Sequence, residues 1–304
     1  MASRQVYRQV EGLHLSYFHS RQGICAALAY KPRPHDVFVV SYPKCGVTWL
    51  EYLVFNIFSG GVPPGSAEEF CSRTPFLEVT EMERIRKMPR PGTIRTHLPF
   101  SKQPYSNQAK YIYIARNPYD CCVSCYHHTR ALPVYLFEDG TFEEFLDMFL
   151  EGDVEYGDYF DHLLSWYEHR HDHNVLFLTY EDLKKDTERW VLKIADFLGP
   201  KYSERLRRDR RIVAQISKAS NVQIMRRIFS RIFEMALEGP PPTRRGTRCS
   251  DACRDEVREH DSQPVNGEWR KYFSQKHVKS MKAWINRKTA GSDVMQLWSD
   301  DDVP

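Results

Sequence analysis

The chain contains no long run of apolar residues. No stretch approaches the ~20 apolar residues of a membrane-spanning helix, and the amino terminus lacks the apolar run of a secretory signal peptide. Charge of one sign is also missing, because 43 basic residues face 40 acidic residues and leave a formal net charge of +3. A balance this even does not indicate a nucleic-acid binder. We therefore expect a cytoplasmic protein that binds neither membranes nor nucleic acid, with room for a local basic pocket.

The sequence has no second Cys-x-x-Cys pair to complete a structural zinc site. Its eight cysteines are expected to be free thiols in a reducing compartment. One cluster brings together Cys121, Cys122, Cys125, His127 and His128. Small buried side chains explain this cluster better than a metal does, because it lies where a helix follows a strand. No metal is predicted.

Short β-branched runs alternate with amphipathic helical patterns along most of the chain. The patterns predict strands at 36–41, 93–96, 110–115 and 175–179, and helices at 48–58, 119–129 and 183–198. This alternation predicts an α/β fold, a single domain over 1–304, with a parallel sheet of about five strands flanked by helices. Residues 1–12 are expected to be flexible. Residues 235–265, rich in proline and charge, are expected to form a mobile loop.

The segment Tyr42-Pro-Lys-Cys-Gly-Val-Thr-Trp49 joins a predicted strand to a predicted helix, like a P-loop. Free backbone N–H groups at a helix amino terminus favour a phosphate. Lys44 adds a positive charge, Gly46 permits close approach of the backbone, and Thr48 offers a hydroxyl. The GxxxxGK[ST] pattern is absent, which argues against an ordinary nucleoside triphosphatase.

Five segments together resemble the cytosolic sulfotransferase family. The loop at 42–49 is similar to its YPKSGTTW motif, with Cys45 and Val47 as replacements. The others are RTHLPF at 95–100 (family KTHLP), YIYIARNPYD at 111–120 with Val123-Ser124 (YxxRNPKDxxVS), YED at 180–182, and GEW at 267–269 (GDW). These matches keep their order and spacing from about residue 36 to residue 273.

The resemblance implies a donor, 3′-phosphoadenosine 5′-phosphosulfate (PAPS), bound without a metal. The implied cofactor-binding residues are Lys44, Gly46, Val47 and Thr48 at the 5′-phosphosulfate, Trp49 stacked on adenine, Arg116, Ser124 and Gly267 at the 3′-phosphate, Tyr180 at the base region, and Val222 at the adenine side. Val222 stands where the family often has an aromatic residue, so stacking there should be weaker.

The resemblance also implies a catalytic group built around His97. A neutral imidazole with an ordinary pKa near ~6.5 can accept the proton of an attacking hydroxyl. Lys44 would stabilise charge on the departing bridging oxygen, and Arg95 keeps the charge of the family lysine.

The small-molecule acceptor is expected to lie among aromatic side chains, which favours a phenol or a catecholamine. Its candidate contacts are Phe76, Phe100, Tyr126 and His128, although each could equally be ordinary core. Glu138 or Asp139 could pair with an amine, but solvated loop charges are the more common case.

The chain departs from the family pattern near its carboxyl end. Ser262-Gln263-Pro264 replace an Arg-Lys-Gly segment that helps to bind the 3′-phosphate, so other arginines must compensate or donor binding is weak. The family dimer motif is missing from 271–279, which predicts a monomer or a dimer through another surface. Two alternatives stay open: a small-molecule kinase, and a protein that binds PAPS or its product PAP with little or no turnover.

Overall fold

The computed structural model describes residues 6–220 and 267–304. Its strands are β1 (Tyr7–Val10), β2 (Leu13–Ser16), β3 (Val37–Val40), β4 (Ile94–Thr96), β5 (Lys110–Ala115) and β6 (Val175–Thr179). Strands β1 and β2 form an antiparallel hairpin. The other four form a parallel sheet in the order β4-β3-β5-β6.

Helices occupy most of the remaining described chain. They are α1 (Arg21–Leu28), α2 (Val47–Ser59), α3 (Ala67–Arg73), α4 (Met82–Arg86), α5 (Pro118–Ala131), α6 (Phe142–Glu151), α7 (Tyr159–Tyr167), α8 (Tyr180–Lys185), α9 (Thr187–Leu198), α10 (Pro200–Arg208), α11 (Arg210–Ala219) and α12 (Gln275–Lys288). Short 3₁₀ helices lie at Phe100–Lys102, Pro133–Tyr135, Glu268–Lys271 and Val294–Trp298. The helix predicted over 183–198 is two helices, because the Asp186 side chain accepts from the Arg189 N–H and begins α9 anew.

Apolar side chains cover both faces of the parallel sheet. Phe38 and Val40 of β3 point into a core shared with α5, α6, α7 and α12. Val37 and Val39 point to the other face, into a core shared with α2, α9 and α11. Successive strand residues therefore alternate between two buried layers, which explains why β3 reads as a continuous apolar run.

The α/β fold predicted from the sequence is confirmed. The parallel sheet has four strands within the described residues, where about five were expected, and Phe76 adds one isolated parallel bridge to Arg95 beyond β4. Residues 7–10, part of the segment expected to be flexible, form β1. The predicted mobile loop at 235–265 lies outside the described residues.

The carboxyl ends of the four parallel strands meet at one edge of the sheet. Strand β3 has β4 on one side and β5 on the other, so the strand order reverses at β3. In parallel sheets, ligands generally bind beyond the strand ends at such a point. Across residues 6–220 and 267–304, no helix has the length and apolar character to cross a membrane. Over the same ranges, no group of three or more His, Cys, Asp or Glu side chains could hold a metal ion.

Candidate active site

The loop between β3 and α2 has the backbone of a phosphate-binding turn. Lys44 has φ 67° and Gly46 has φ 99°, and Gly46 begins α2 without any side-chain cap. A Cβ atom at position 46 would lie 2.7 Å from Cδ2 of Tyr180, so glycine is needed both for its φ and for its lack of bulk. The N–H groups of the first turn of α2 are therefore available to an anion.

Cysteine thiols of α5 donate hydrogen bonds to this loop. The Pro43 carbonyl oxygen accepts from Sγ of Cys121 and Sγ of Cys125, each at 3.7 Å. The Cys45 and Cys121 sulfurs lie 3.7 Å apart, and both cysteines are buried free thiols, as is Cys122. The cysteine cluster seen in the sequence thus packs the loop against α5. Cys249 and Cys253 lie outside the described residues.

Arg116 is buried at the end of β5 and reaches the same loop. Its guanidinium lies 4.9 Å from the centre of the Tyr180 ring, and its Nη1 donates to the Lys44 carbonyl at 3.4 Å. Its Nε is buried and makes no hydrogen bond within the described part of the chain. A buried guanidinium with an unused donor can bind an anion such as a phosphate.

Asp120 fastens the returning carboxyl-terminal segment to the start of α5. Its carboxylate accepts from the Gly267 N–H at 2.8 Å and from the Trp269 N–H at 3.0 Å. Ser124, half-buried, lies one turn farther along the same helix. Arg116, Ser124 and Gly267, predicted from distant positions, are therefore gathered around the amino-terminal end of α5.

His97 follows β4, and the position of its ring is fixed. Its Nδ1 lies 2.7 Å from the Ser41 carbonyl oxygen, which can only accept, so Nδ1 carries the proton and Nε2 carries a lone pair. Ser41 lies three residues before Lys44, so the contact places the imidazole beside the phosphate-binding loop. The ordinary pKa near ~6.5 expected from the sequence is wrong here, because burial lowers the pKa of His97 to about 3. The ring is therefore neutral at neutral pH but is a weaker base than a free imidazole.

Two buried side chains position the backbone of His97. Glu78 Oε1 accepts from the His97 N–H at 2.7 Å and from the Thr96 hydroxyl at 3.0 Å. Nε2 of His162 donates to the His97 carbonyl at 3.0 Å, while Nδ1 of His162 accepts from the Tyr113 hydroxyl. Burial raises the pKa of Glu78 to about 7. His97 is thus held at its ring, its N–H and its carbonyl.

Arg95 forms an ion pair with Glu51 of α2, in which Nε donates to Oε2 at 2.7 Å. Burial raises the pKa of Glu51 to about 6, against the effect of the Arg95 charge. The pairing gives Arg95 a role in joining β4 to α2. Its catalytic assignment stays a prediction.

The remaining 5′-phosphosulfate candidates, Val47 and Thr48, and the adenine candidate Trp49 lie at the start of α2. Val47 and Thr48 are buried, and Trp49 packs its ring edge-to-face on Tyr180 with 5.2 Å between ring centres. Trp49 also packs against apolar core on the α2 side of the sheet. Val222 lies outside the described residues.

The four acceptor candidates fall in different surroundings. Phe76 contacts His97 edge-to-face, with ring centres 5.2 Å apart. Phe100 stacks on His169 of the turn after α7, Tyr126 packs on Phe142 and Phe145 of α6, and His128 lies 6.1 Å from the Tyr135 ring. Phe76 is therefore the candidate whose contact ties it to the predicted base.

Several residues that shape the site were not singled out from the sequence. Asp120 ends the motif at 111–120, and Glu78 lies two residues after the candidate Phe76, so a search for acids near those positions could have found both. Glu51 and His162 stand in no recognisable motif. Their roles depend on which elements pack together.

Comparison with known proteins agrees with this geometry. A family model described as "Sulfotransferase domain" matches residues 34–293. Mouse "Sulfotransferase 1B1" is 33% identical over 281 residues, which cover 87% of this chain and 86% of the relative. Rabbit "Amine sulfotransferase" is 38% identical over 180 residues, 58% of this chain and 60% of that protein. The crystal structure of mouse sulfotransferase SULT7A1 complexed with PAP superposes with a TM-score of 0.73 at 26% identity, covering 97% of this chain and 98% of that one.

Proposed function

Because this chain belongs to the sulfotransferase family of enzymes, we propose that it moves the sulfuryl group of PAPS to a hydroxyl group of a small aromatic acceptor. The preferred acceptor is a phenol or a catecholamine, and an amine nitrogen is a second possible nucleophile. The mouse neighbour that binds PAP supports PAPS as the donor here. So do the uncapped turn of α2 and the unused Nε of Arg116, which suit a ligand with phosphates at two ends.

In this proposal His97 is the general base. Its Nε2 takes the hydroxyl proton as the acceptor oxygen attacks sulfur in line, and the bond from sulfur to the phosphate oxygen breaks. The hydrogen bond from Nδ1 to the Ser41 carbonyl holds the required tautomer and then favours the imidazolium that forms. That contact supports the proposal most strongly, because it leaves Nε2 of the neutral ring without a proton and ties the ring to Ser41, the residue before the phosphate-binding loop.

Lys44 would stabilise the charge that develops on the departing phosphate oxygen. The left-handed backbone at Lys44 and Gly46 turns the loop around this point, and Arg116 fixes the Lys44 carbonyl. Arg116, Ser124 and the Gly267 segment would hold the 3′-phosphate. Val47, Thr48 and Trp49 would contact the 5′ end and the adenine.

Transfer assays with two donors test the function. The purified chain is incubated with sulfur-labelled PAPS or phosphorus-labelled ATP, each with a panel of phenols and phenolic amines. We expect label from PAPS alone to appear on a phenol. Transfer from ATP would favour the kinase, and tight PAP binding with no transfer to any acceptor would favour a binding protein.

A further inference from the structure

A buried polar cluster lies next to His97 but takes no part in the proton transfer described above. Its centre is Glu155, in the segment between α6 and α7, whose side chain is 13% exposed. Glu155 Oε1 lies 3.3 Å from Nε2 of His19 and accepts from the Ser16 N–H at 3.0 Å. His19 is itself 3% exposed, so the pair is nearly removed from bulk water.

Four polar atoms of this cluster lack hydrogen bonds within the described residues. They are Oε2 of Glu155, Nδ1 of His19, the hydroxyl of Tyr7 and the hydroxyl of Ser16, all buried. The rings of Tyr7 and Tyr135 lie with their centres 5.9 Å apart. Burial, and next the negative charge of Glu155, raise the pKa of both tyrosines. A buried polar atom without a partner is costly, so four in one cluster indicate a polar ligand.

Two aromatic rings link the cluster to the predicted base. The imidazole centres of His97 and His19 lie 5.4 Å and 5.5 Å from the centre of the Tyr156 ring. Phe76 contacts both imidazoles as well, at 5.2 Å and 6.1 Å between ring centres. A flat acceptor seated against Phe76 and Tyr156 would have its reacting hydroxyl at His97 and its far end toward Glu155.

The negative charge of Glu155 indicates that the end of the acceptor opposite its reacting hydroxyl is cationic. His19 and the Ser16 N–H lower the pKa of Glu155 against the effect of its burial, so the carboxylate is ionised at neutral pH. A charge-assisted hydrogen bond to an ammonium is about twice as strong as one between neutral groups. Glu138 and Asp139, the acids considered from sequence, are exposed and would bind an amine weakly.

We propose that Glu155 determines acceptor specificity by binding the ammonium group of a phenolic amine whose hydroxyl receives the sulfuryl group. The inference rests on the proposed function, since it assumes a phenol-accepting sulfotransferase. The Tyr7 and Tyr135 hydroxyls complete the ammonium site as further acceptors. Phe76 and Tyr156 set the distance between the two ends of the acceptor.

The test compares tyramine with 4-ethylphenol, which differ by the ammonium group. Wild type, Glu155→Gln and the control Asp153→Asn are assayed with PAPS. Asp153 suits the control because it lies two residues away, is 58% exposed and pairs with His14. We expect wild type to prefer tyramine, and Glu155→Gln to lower kcat/KM for tyramine about 10- to 100-fold while leaving 4-ethylphenol unchanged. Asp153→Asn should change neither value.

Equal losses on both acceptors in Glu155→Gln would overturn the proposal in favour of a structural role. If wild type showed no preference for tyramine over 4-ethylphenol, that result alone would overturn the proposal. The test therefore does not depend on whether Glu155→Gln folds. Calorimetric titration of both compounds into the PAP-bound wild type gives a readout that needs no turnover. If tyramine bound more tightly than 4-ethylphenol but neither was sulfated, the proposed function would be refuted and the ammonium site supported. If both were sulfated but bound equally tightly, the proposed function would be supported and the ammonium site refuted.

Discussion

The proposed donor side and the proposed acceptor side differ in how they are held together, although Nε of Arg116 stays without a hydrogen bond on the donor side as well. On the donor side, the loop after β3 is tied down by backbone contacts: two thiols donate to the Pro43 carbonyl and Arg116 donates to the Lys44 carbonyl. On the acceptor side, Glu155, His19 and Tyr7 keep buried polar atoms without hydrogen bonds in the described structure.

This difference follows from what each side has to bind. A phosphate is recognised by N–H groups and cations at fixed positions, so a short contiguous segment with the right backbone suffices. An acceptor is recognised by shape and by a few side chains that elements far apart in sequence bring together. Polar atoms left without hydrogen bonds in such a site can bind a ligand with matching polar groups. They disfavour binding of a ligand that leaves them unpaired.

The largest effect should come from removing the buried cation of the donor side. In Arg116→Ala we expect the Kd for PAP to rise about 10- to 100-fold, because a charge-assisted phosphate contact is lost. Arg170→Ala is the matched control, since Arg170 also lies over a tyrosine ring, 3.8 Å from the centre of Tyr167. Calorimetric titration with PAP measures both. Equal Kd values for the two variants would show that Arg116 does not contribute to donor binding.

A smaller effect should come from Glu78, which lies between the two sides. Burial raises its pKa from 4.5 to about 7, so the folded state binds the proton more tightly than the unfolded state does. Its contribution to stability is full below pH 4.5 and is lost as the pH rises through about 7. The unfolding free energy of wild type relative to Glu78→Gln should therefore fall by about 2 kcal/mol from pH 5 to pH 8.

Urea unfolding of both proteins at each pH measures this change. The difference between the two proteins cancels the opposite trend from His97 and His162, whose pKa values are lowered to about 3 and about 4. A difference that is flat or that rises with pH would show that Glu78 is an ordinary carboxylate in the folded protein.

The smallest effect distinguishes backbone strain from crowding in the loop. Gly46→Ala and Gly291→Ala both place a Cβ at positive φ, but only the first meets a neighbour, Cδ2 of Tyr180 at 2.7 Å. Both should lose stability, and Gly46→Ala should lose about 1 kcal/mol more and weaken PAP binding. Thermal unfolding and a PAP titration check this. Equal losses of stability and equal Kd values for PAP in the two variants would mean that the Tyr180 ring moves aside at little cost.

Sequence reasoning succeeded where chemistry lies in contiguous segments. The α/β fold and the strands around 37–40, 94–96, 110–115 and 175–179 were predicted, because buried parallel strands read as short apolar runs between helical patterns. The loop at 42–49, Arg116 and His97 were predicted as site residues from their resemblance to family motifs, and in the structure each lies just after a strand. Their roles stay predictions. The N-terminal hairpin was missed, because polar residues such as Arg8, Gln9 and His14 interrupt its apolar pattern.

The acceptor side could not be predicted in the same way. His19 and Glu155 are in contact although more than a hundred residues separate them in sequence. No sequence pattern at either position predicts a buried charge. Phe76, Phe100, Tyr126 and His128 were chosen for their aromatic character, which serves core packing and ligand binding alike. The contacts of the last three with α6, α7 and Tyr135 depend on how those elements pack.

The central claim is that His97 accepts the proton of the acceptor hydroxyl, and one kinetic comparison tests it most directly. His97→Ala and the control His173→Ala, an exposed histidine, are assayed for PAP binding and for PAPS-dependent transfer to a phenol. The account predicts that His97→Ala keeps the wild-type Kd for PAP and loses about 10²- to 10⁴-fold in kcat, while His173→Ala matches wild type. An unchanged kcat in His97→Ala would contradict the account.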